Sequence, residues 1–300
     1  MSFISVSKAT LWTTLLAAGI LSACAPSVSN QKTSGLNFDS SIIGGDAVTA
    51  DDPIGASAVW IYDQKRSALC TGTLIAENMV LTAAHCTNED PTQLLIVFSL
   101  SLPQDGQPFD KSLVRQVVAG KTTDLWPNVT AQTKDTWGDI AVLRYDGTTP
   151  ATAHPAAMLQ GTQVLQKGTS MVLAGYGLTD GVKETQSTGL RKVTVSLAGF
   201  ISQSEFAFDQ SNGKGACHGD SGGPAYVQVN GQWLVAGVTS RGGTGCVKFA
   251  VYTSVPTYLT WIQSTVEYLS KLTSTEPIPQ PGFNKDTPTP ASAPAPSQGT

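Results

Sequence analysis

The chain has 300 residues, enough for one large domain or two small ones, and 41% of them are hydrophobic, so a packed core is expected. Only 13% are charged, about half of the roughly 25% typical of soluble domains, and the net charge is −4. No run of Lys or Arg occurs, which argues against a nucleic-acid-binding surface.

The N-terminal segment is typical of an export signal. Lys8 precedes an uncharged stretch, residues 9–21, with the length of a signal-peptide core and too short to span a membrane as a helix. It ends in Leu-Ser-Ala-Cys at residues 21–24, which resembles a bacterial lipobox, where the cysteine is lipidated and starts the mature protein. We expect a signal peptide over residues 1–23 and a lipid on Cys24, with an ordinary secretory signal cut near Cys24 as the alternative. The lipid would be the only membrane attachment.

Residues 25–41 are small and polar, so we interpret 24–41 as a flexible stalk and pro-segment. From residue 42 onward the chain has many short runs rich in β-branched and aromatic residues, separated by turn dipeptides such as Asn230-Gly231. No helical pattern alternates with these runs. The sequence therefore predicts an all-β fold, a barrel or a sandwich, and disfavours a parallel α/β fold.

One helix is predicted at the end of this domain, over residues 256–270. Pro256 suits a first helical turn, and the apolar side chains that follow recur near helical spacing. Residues 271–300 are then rich in proline: residues 274–300 hold seven of the 17 prolines. This composition predicts a disordered, extended tail.

Ser221 lies in the string Gly-Asp-Ser-Gly-Gly-Pro, residues 219–224. A serine hydroxyl is a weak nucleophile unless a base accepts its proton and backbone N–H groups stabilise the oxyanion that forms. The glycines on both sides of Ser221 allow the backbone to turn tightly around it. A glycine-rich surface turn is the alternative interpretation of this string.

Two further motifs supply a base and an acid. His85 ends the string Leu-Thr-Ala-Ala-His that begins at residue 81, and an imidazole can accept a proton at neutral pH and return it. Asp139 begins an apolar run, as expected for a buried carboxylate that orients an imidazole. The other histidines lack such a context: we expect His154 in a solvated loop and His218 beside the substrate cleft.

The three motifs, in the order His, Asp, Ser, resemble those of the chymotrypsin/trypsin family over about residues 42–270. The resemblance implies two six-stranded antiparallel β-barrels, roughly 42–150 and 151–255, with the active site between them. It implies a serine endopeptidase that acts on proteins or peptides through an acyl-enzyme, with no cofactor or metal. His85, Asp139 and Ser221 would form the catalytic triad, and the N–H groups of Gly219 and Ser221 the oxyanion hole. A monomer is expected.

The resemblance also implies activation by proteolysis. Ile42-Ile43-Gly44-Gly45 resembles the mature N-terminus of the family, so another protease would cut between Ser41 and Ile42. The new Ile42 ammonium would pair with Asp220. If Cys24 carries a lipid, the same cut would release the protease from a bacterial envelope membrane.

The cysteine positions also agree with the family. The resemblance implies disulfide bonds between Cys70 and Cys86 and between Cys217 and Cys246. Cys24 would be the unpaired fifth cysteine.

For the specificity pocket, the resemblance places Gly215 at the base, Ser240 and Gly242 along one wall and Ala250 at the back. With glycine at the base, cleavage after Lys or Arg is disfavoured, and an apolar, aromatic or otherwise uncharged side chain is expected. Arg241 stands where an aromatic residue is usual, so Arg241 and His218 leave an acidic side chain as the alternative.

Two other functions remain open at this point. One is a catalytically inactive family member that serves as a binding module, which the complete triad disfavours. The other is a serine esterase.

Overall fold

The structure is a computed structural model that describes residues 42–87, 90–103, 110–126 and 137–272. The expectations for the signal peptide over 1–23, for Cys24, for the segment 24–41 and for the tail beyond residue 272 concern residues outside these ranges. All described residues belong to one compact unit, Phe38–Thr300.

The first barrel is a closed antiparallel sheet. The described chain starts with the short strand β1 (Asp46–Ala47), which pairs with a strand of the second barrel. The next six strands close in the order β2-β3-β4-β7-β6-β5. They are β2 (Ala58–Asp63), β3 (Ala68–Ala76), β4 (Met79–Thr82), β5 (Leu94–Val97), β6 (Val114–Thr122) and β7 (Ala141–Tyr145). Their branched apolar side chains, among them Ile61, Leu74 and Val80, pack into one core cluster.

The second barrel is built in the same way from later strands. They are β8 (Ala157–Met158), β9 (Ser170–Gly175), β10 (Arg191–Phe200), β11 (Glu205–Asp209), β12 (Pro224–Val229), β13 (Gln232–Gly242) and β14 (Phe249–Ser254). The sheet runs β9-β10-β11-β14-β13-β12 and closes because β12 also pairs with β9, while β8 lies parallel to β13 outside this ring. Asn230 and Gly231 join β12 to β13 with positive φ angles, as a tight hairpin turn requires.

One α-helix follows in the described part of the chain, α1 (Val255–Lys271), with Pro256 in its first turn. The described ranges also contain five short 3-10 helices, at Pro53–Ala56, Ala84–Cys86, Pro91–Gln93, Lys111–Leu113 and Thr244–Cys246. The predicted fold class is confirmed: two closed six-stranded antiparallel barrels and a C-terminal helix.

The two barrels pack against each other through a separate core cluster. Trp60 from β2, Tyr226 from β12 and Ile262 from α1 all belong to it. Within this interface, the hydroxyl groups of Ser57 and Tyr226 share a hydrogen bond of 2.7 Å. The packed interface therefore holds residues of the two barrels at fixed distances from each other.

Candidate active site

His85 and Asp139 meet because their strands are neighbours. β4 ends at Thr82, which pairs with Ala141 of β7, so the turn with His85 and the start of β7 lie side by side. His85 Nδ1 is 2.8 Å from Asp139 Oδ2, and the backbone N–H of His85 donates to Oδ1 at 3.0 Å. The Asp139 side chain is 2% exposed and that of His85 is 30% exposed. A buried carboxylate thus orients an imidazole that solvent can still reach.

The second barrel also contributes to this carboxylate. The hydroxyl of Ser240 in β13 donates to Asp139 Oδ2 at 2.6 Å, and that of Thr253 in β14 donates to the backbone carbonyl of Asp139 at 3.0 Å. Ser240 is therefore directed at Asp139, although the sequence placed it only along the specificity pocket. These two bonds fix the side chain and the backbone of Asp139 without a second charged group.

Ser221 lies in the loop between β11 and β12, and Thr71 of β3 fixes this loop to the first barrel. The Thr71 N–H donates to the Ser221 carbonyl at 2.8 Å, and its hydroxyl donates to the Gly219 carbonyl at 2.9 Å. Thr71 was missed at the sequence level because nothing in its neighbourhood marks it. Thr71 contacts the loop only because the fold brings β3 next to the Ser221 loop.

Gly222 allows the loop to approach the turn that carries His85. A Cβ atom at Gly222 would lie 2.0 Å from Thr82 Oγ1 and 2.9 Å from the backbone nitrogen of Ala83, and its φ is +80°. Only glycine fits such a close contact at a positive φ. Ser221 therefore lies beside the turn that carries His85, and its carbonyl oxygen is 3.4 Å from Cys86 Sγ. No hydrogen bond joins the side chains of Ser221 and His85 within the described residues.

The backbone around Ser221 offers two free donors. Among the described residues, neither the N–H of Gly219 nor that of Ser221 has an acceptor. Gly219 has φ of +95°, and a Cβ there would lie 2.8 Å from Gly177 Cα. Two such N–H groups next to a serine hydroxyl can bind a developing oxyanion.

Asp220, the loop residue between Gly219 and Ser221, is completely buried. Its carboxylate accepts the N–H groups of Gly177 at 2.8 Å and Cys217 at 2.7 Å, and also that of Ile42. Burial raises the pKa of Asp220 to about 7, and the three N–H donors act against that increase. No cationic side chain among the described residues pairs with Asp220. Ile42 is itself 0% exposed, so the predicted activation partners already lie together.

Gly175-Tyr176-Gly177 surrounds the same carboxylate. A Cβ at Gly175 would lie 2.1 Å from Asp220 Oδ1, and one at Gly177 would lie 2.6 Å from Asp220 Cγ. The two glycines therefore leave the space that the Asp220 side chain fills. Tyr176 between them is buried and donates its hydroxyl to the Ser99 carbonyl of the first barrel at 2.9 Å.

Two disulfide bonds close the loops of the site. Cys70–Cys86 links β3 to the turn of His85, and Cys217–Cys246 links the Ser221 loop to the 3-10 turn before β14. Cys70, His85 and Cys86 are the one group of potential metal ligands in the described residues. Both sulfur atoms belong to the disulfide, so neither is available as a thiolate ligand.

The residues predicted for the specificity pocket lie in β13, in β14 and in the loop that carries Ser221. Gly242 pairs with Ala250 across β13 and β14, and Ala250 is 1% exposed. Gly215 is buried, and its N–H donates to the Ile43 carbonyl at 3.0 Å. His218 is exposed at the start of the Ser221 loop.

Arg241 does not project freely into this region. Its guanidinium forms a bidentate ion pair with Glu205, which is 2% exposed, and lies 4.1 Å from the centre of the Trp137 ring. The ring centre of Trp126 lies 6.4 Å from that of His85. The sequence did not indicate either tryptophan as part of the site, because neither belongs to a recognisable motif.

The comparisons with known proteins agree with this geometry. The trypsin family model matches residues 42–262. Vitamin K-dependent protein C of Oryctolagus cuniculus is 30% identical over 233 residues, 70% of this chain and 49% of that protein. Chymotrypsin-like elastase family member 1 of Canis lupus familiaris is 28% identical over 214 residues, 66% of this chain and 81% of that protein. The Bos taurus elastase is 27% identical over 244 residues, 75% of this chain and 89% of that protein.

This chain thus spans about half of the length of protein C and most of the length of the elastases. The match to the family model covers both barrels, and it includes His85, Asp139 and Ser221. The chain belongs to the trypsin family of serine proteases.

Proposed function

We propose that the protein is a secreted serine endopeptidase with His85, Asp139 and Ser221 as its catalytic triad. The observation that carries this proposal is the His85–Asp139 pair beside a serine loop with two unpaired N–H groups. The substrates are proteins or peptides, and the enzyme acts as a monomer without a cofactor.

The mechanism follows from this geometry. His85 Nδ1–H donates to Asp139, which leaves Nε2 as the base that accepts the proton of Ser221 as its oxygen attacks the substrate carbonyl. The negative charge on the carbonyl oxygen is bound by the N–H groups of Gly219 and Ser221, and one such donor is worth about 10²–10³ in kcat. His85 then protonates the leaving amine, and water hydrolyses the acyl-enzyme by the reverse sequence.

Activation by a cut between Ser41 and Ile42 is part of the proposal, although Ser41 lies outside the described residues. The burial of Ile42 and its N–H bond to Asp220 support it. A cut would convert this N–H into an ammonium group and give the buried Asp220 carboxylate the cation that it lacks. We assign the cut to another protease, because Ser41 matches the uncharged but not the apolar part of the expected P1 preference.

We propose that P1, the substrate residue on the N-terminal side of the cleaved bond, is apolar or otherwise uncharged. Gly215 contributes no carboxylate that could bind Lys or Arg. The acidic alternative is based on Arg241 and His218. The Arg241 guanidinium is already bound by Glu205, so exposed His218 alone would have to bind an acidic side chain.

Export and anchoring rest on the N-terminal sequence alone. We propose a signal peptide over residues 1–23, a lipid on Cys24, a stalk and pro-segment over 24–41 and an extended tail over 271–300. The protease would sit at a bacterial envelope membrane or be released after activation. No helix in the described ranges combines the length and apolar character needed to cross a membrane.

Covalent labelling tests whether Ser221 is an activated nucleophile. The chain that begins at Ile42 is treated with a fluorophosphonate, and the modified residue is located by mass spectrometry beside a Ser221→Ala control. The proposal predicts a label on Ser221 alone and none in the control. A folded protein without a label on Ser221 would contradict it and favour the binding-module alternative.

A further inference from the structure

Gln210, the residue directly after β11, has a buried and fully hydrogen-bonded side chain. It is 2% exposed. Its Oε1 accepts the N–H of Ala216 at 2.8 Å, and its Nε2 donates to the carbonyls of Ala216 at 3.1 Å and Cys246 at 3.0 Å. Buried amides are unfavourable unless they are paired, so three bonds fix this carboxamide in one orientation.

The carboxamide lies against Gly215, the residue expected at the base of the specificity pocket. A Cβ at Gly215 would lie 2.2 Å from Gln210 Cδ and 2.3 Å from its Oε1. Gly215 therefore has no room for a side chain. The space into which that side chain would project is filled by the carboxamide of Gln210.

Gln210 also binds the segment that leads into Ala250, the residue expected at the back of the pocket. Cys246 and Lys248 have φ of +58° and +76°, a conformation that is unfavourable for residues with a Cβ. The Cys246 carbonyl accepts from Gln210 Nε2, and the Lys248 carbonyl accepts the backbone N–H of Gln210 at 2.9 Å. Gln210 thus connects the segment of Gly215 to the short loop that leads into Ala250 of β14.

We propose that Gln210 forms the floor of the specificity pocket and selects substrates with an uncharged P1 side chain. The inference rests on the proposed function, because it names the substrate class of the same site. Both Nε2 hydrogens are already donated, so none remains for a substrate carboxylate. The floor carries no charge that could neutralise Lys or Arg. A charged P1 side chain would lose its hydration without gaining a partner there.

Two variants of the chain that begins at Ile42 test this role. Gln210→Glu places a carboxylate at the floor with almost no change in shape, and Gln210→Ala removes the floor. The control is Gln228→Glu, the same change at an exposed position of β12. We measure kcat/KM on peptides that differ only in P1, with Leu, Lys or Glu there, and fluorophosphonate labelling of Ser221 for each variant.

We expect the unmodified enzyme and Gln228→Glu to prefer Leu over both charged residues by about 100-fold. In Gln210→Glu the ratio of Lys to Leu cleavage rises about tenfold or more, and in Gln210→Ala the preference for Leu over Lys falls by a similar factor. An unchanged ratio in either variant that still labels Ser221 overturns this inference alone. An unmodified enzyme that neither labels nor cleaves overturns the proposed function and this inference together.

Discussion

Arg241 of β13 is bound by Glu205 of β11: the two side chains share two hydrogen bonds, and Glu205 is 2% exposed. The Trp137 ring covers the guanidinium from one side. The Arg241 guanidinium is therefore paired with a buried carboxylate and covered by an aromatic ring.

Removal of Arg241 alone should be destabilising, because it leaves the Glu205 carboxylate buried without a partner. We expect Arg241→Ala to lower the free energy of unfolding by about 3 kcal/mol. The double variant Glu205→Leu/Arg241→Met should lose clearly less, because no buried charge remains. Urea unfolding of all forms measures this. Equal losses in the single and double variants would show that the unpaired Glu205 carboxylate is not the cause of the destabilisation.

Asp139→Asn should lower kcat by about 10⁴-fold, because an amide cannot hold the imidazole in the tautomer that leaves Nε2 free as a base. Ser240→Ala removes only one of the hydrogen bonds to this carboxylate, so about tenfold is expected. KM should change little in both variants, since the Ser240 hydroxyl and the Asp139 carboxylate are bound to each other. Steady-state kinetics on one uncharged peptide test this. Similar losses in the two variants would contradict the assigned roles.

Asp220 should make the single chain, the form not cut between Ser41 and Ile42, less stable as the pH rises. Its pKa is raised from 3.8 to about 7, so between these values the folded chain holds a proton that the unfolded chain has lost. Folded protein therefore binds more protons there, and its stability falls as the pH increases from about 4 to about 7. Each pH unit between these two pKa values should lower the free energy of unfolding by about 1.4 kcal/mol.

Cleavage before Ile42 should remove this pH dependence, because the new ammonium favours the ionised carboxylate. Urea midpoints between pH 4 and pH 8 compare the single chain with the form that begins at Ile42, both with Ser221→Ala to prevent autolysis. A single chain with Asp220→Asn is the control and should lack the decline. Parallel pH profiles for the uncleaved and cleaved forms would count against the Ile42–Asp220 pairing.

The two disulfide bonds should have different effects on the enzyme. Loss of either one should cost about 2–4 kcal/mol of stability. Replacing Cys70 and Cys86 by serine should lower the rate for all substrates, since this bond supports the turn of His85. Replacing Cys217 and Cys246 should also change the P1 preference, because Gln210 binds the Cys246 carbonyl. Thermal unfolding and the P1 peptide series measure both effects. The same P1 preference in both double variants would contradict this assignment.

The sequence predicted those parts of the site that lie in short contiguous strings. Ser221 and His85 each stand in such a string, and Asp139 was recognised from its order between them. The fold class followed from the same motifs and from many short β-rich runs. Local sequence therefore predicts the residues whose chemistry depends on the backbone next to them.

Residues that act through long-range contacts were not predicted. Gln210 stands in Asp-Gln-Ser-Asn-Gly, which by composition is an ordinary exposed turn, yet the fold buries it. Thr71 and the Glu205–Arg241 pair join segments that are far apart in the chain. Only the closure of the barrels brings these groups together, and no periodicity in a single sequence records such contacts.

The most direct measurement uses the chain that begins at Ile42 beside its Ser221→Ala variant. Both are incubated with a diverse peptide library, and every cleaved bond is identified by mass spectrometry. We predict cleavage by the first form alone, predominantly after uncharged side chains. No cleavage by a folded protein with a confirmed Ile42 terminus, or equal cleavage by the Ser221→Ala variant, would contradict the assignment of a serine endopeptidase.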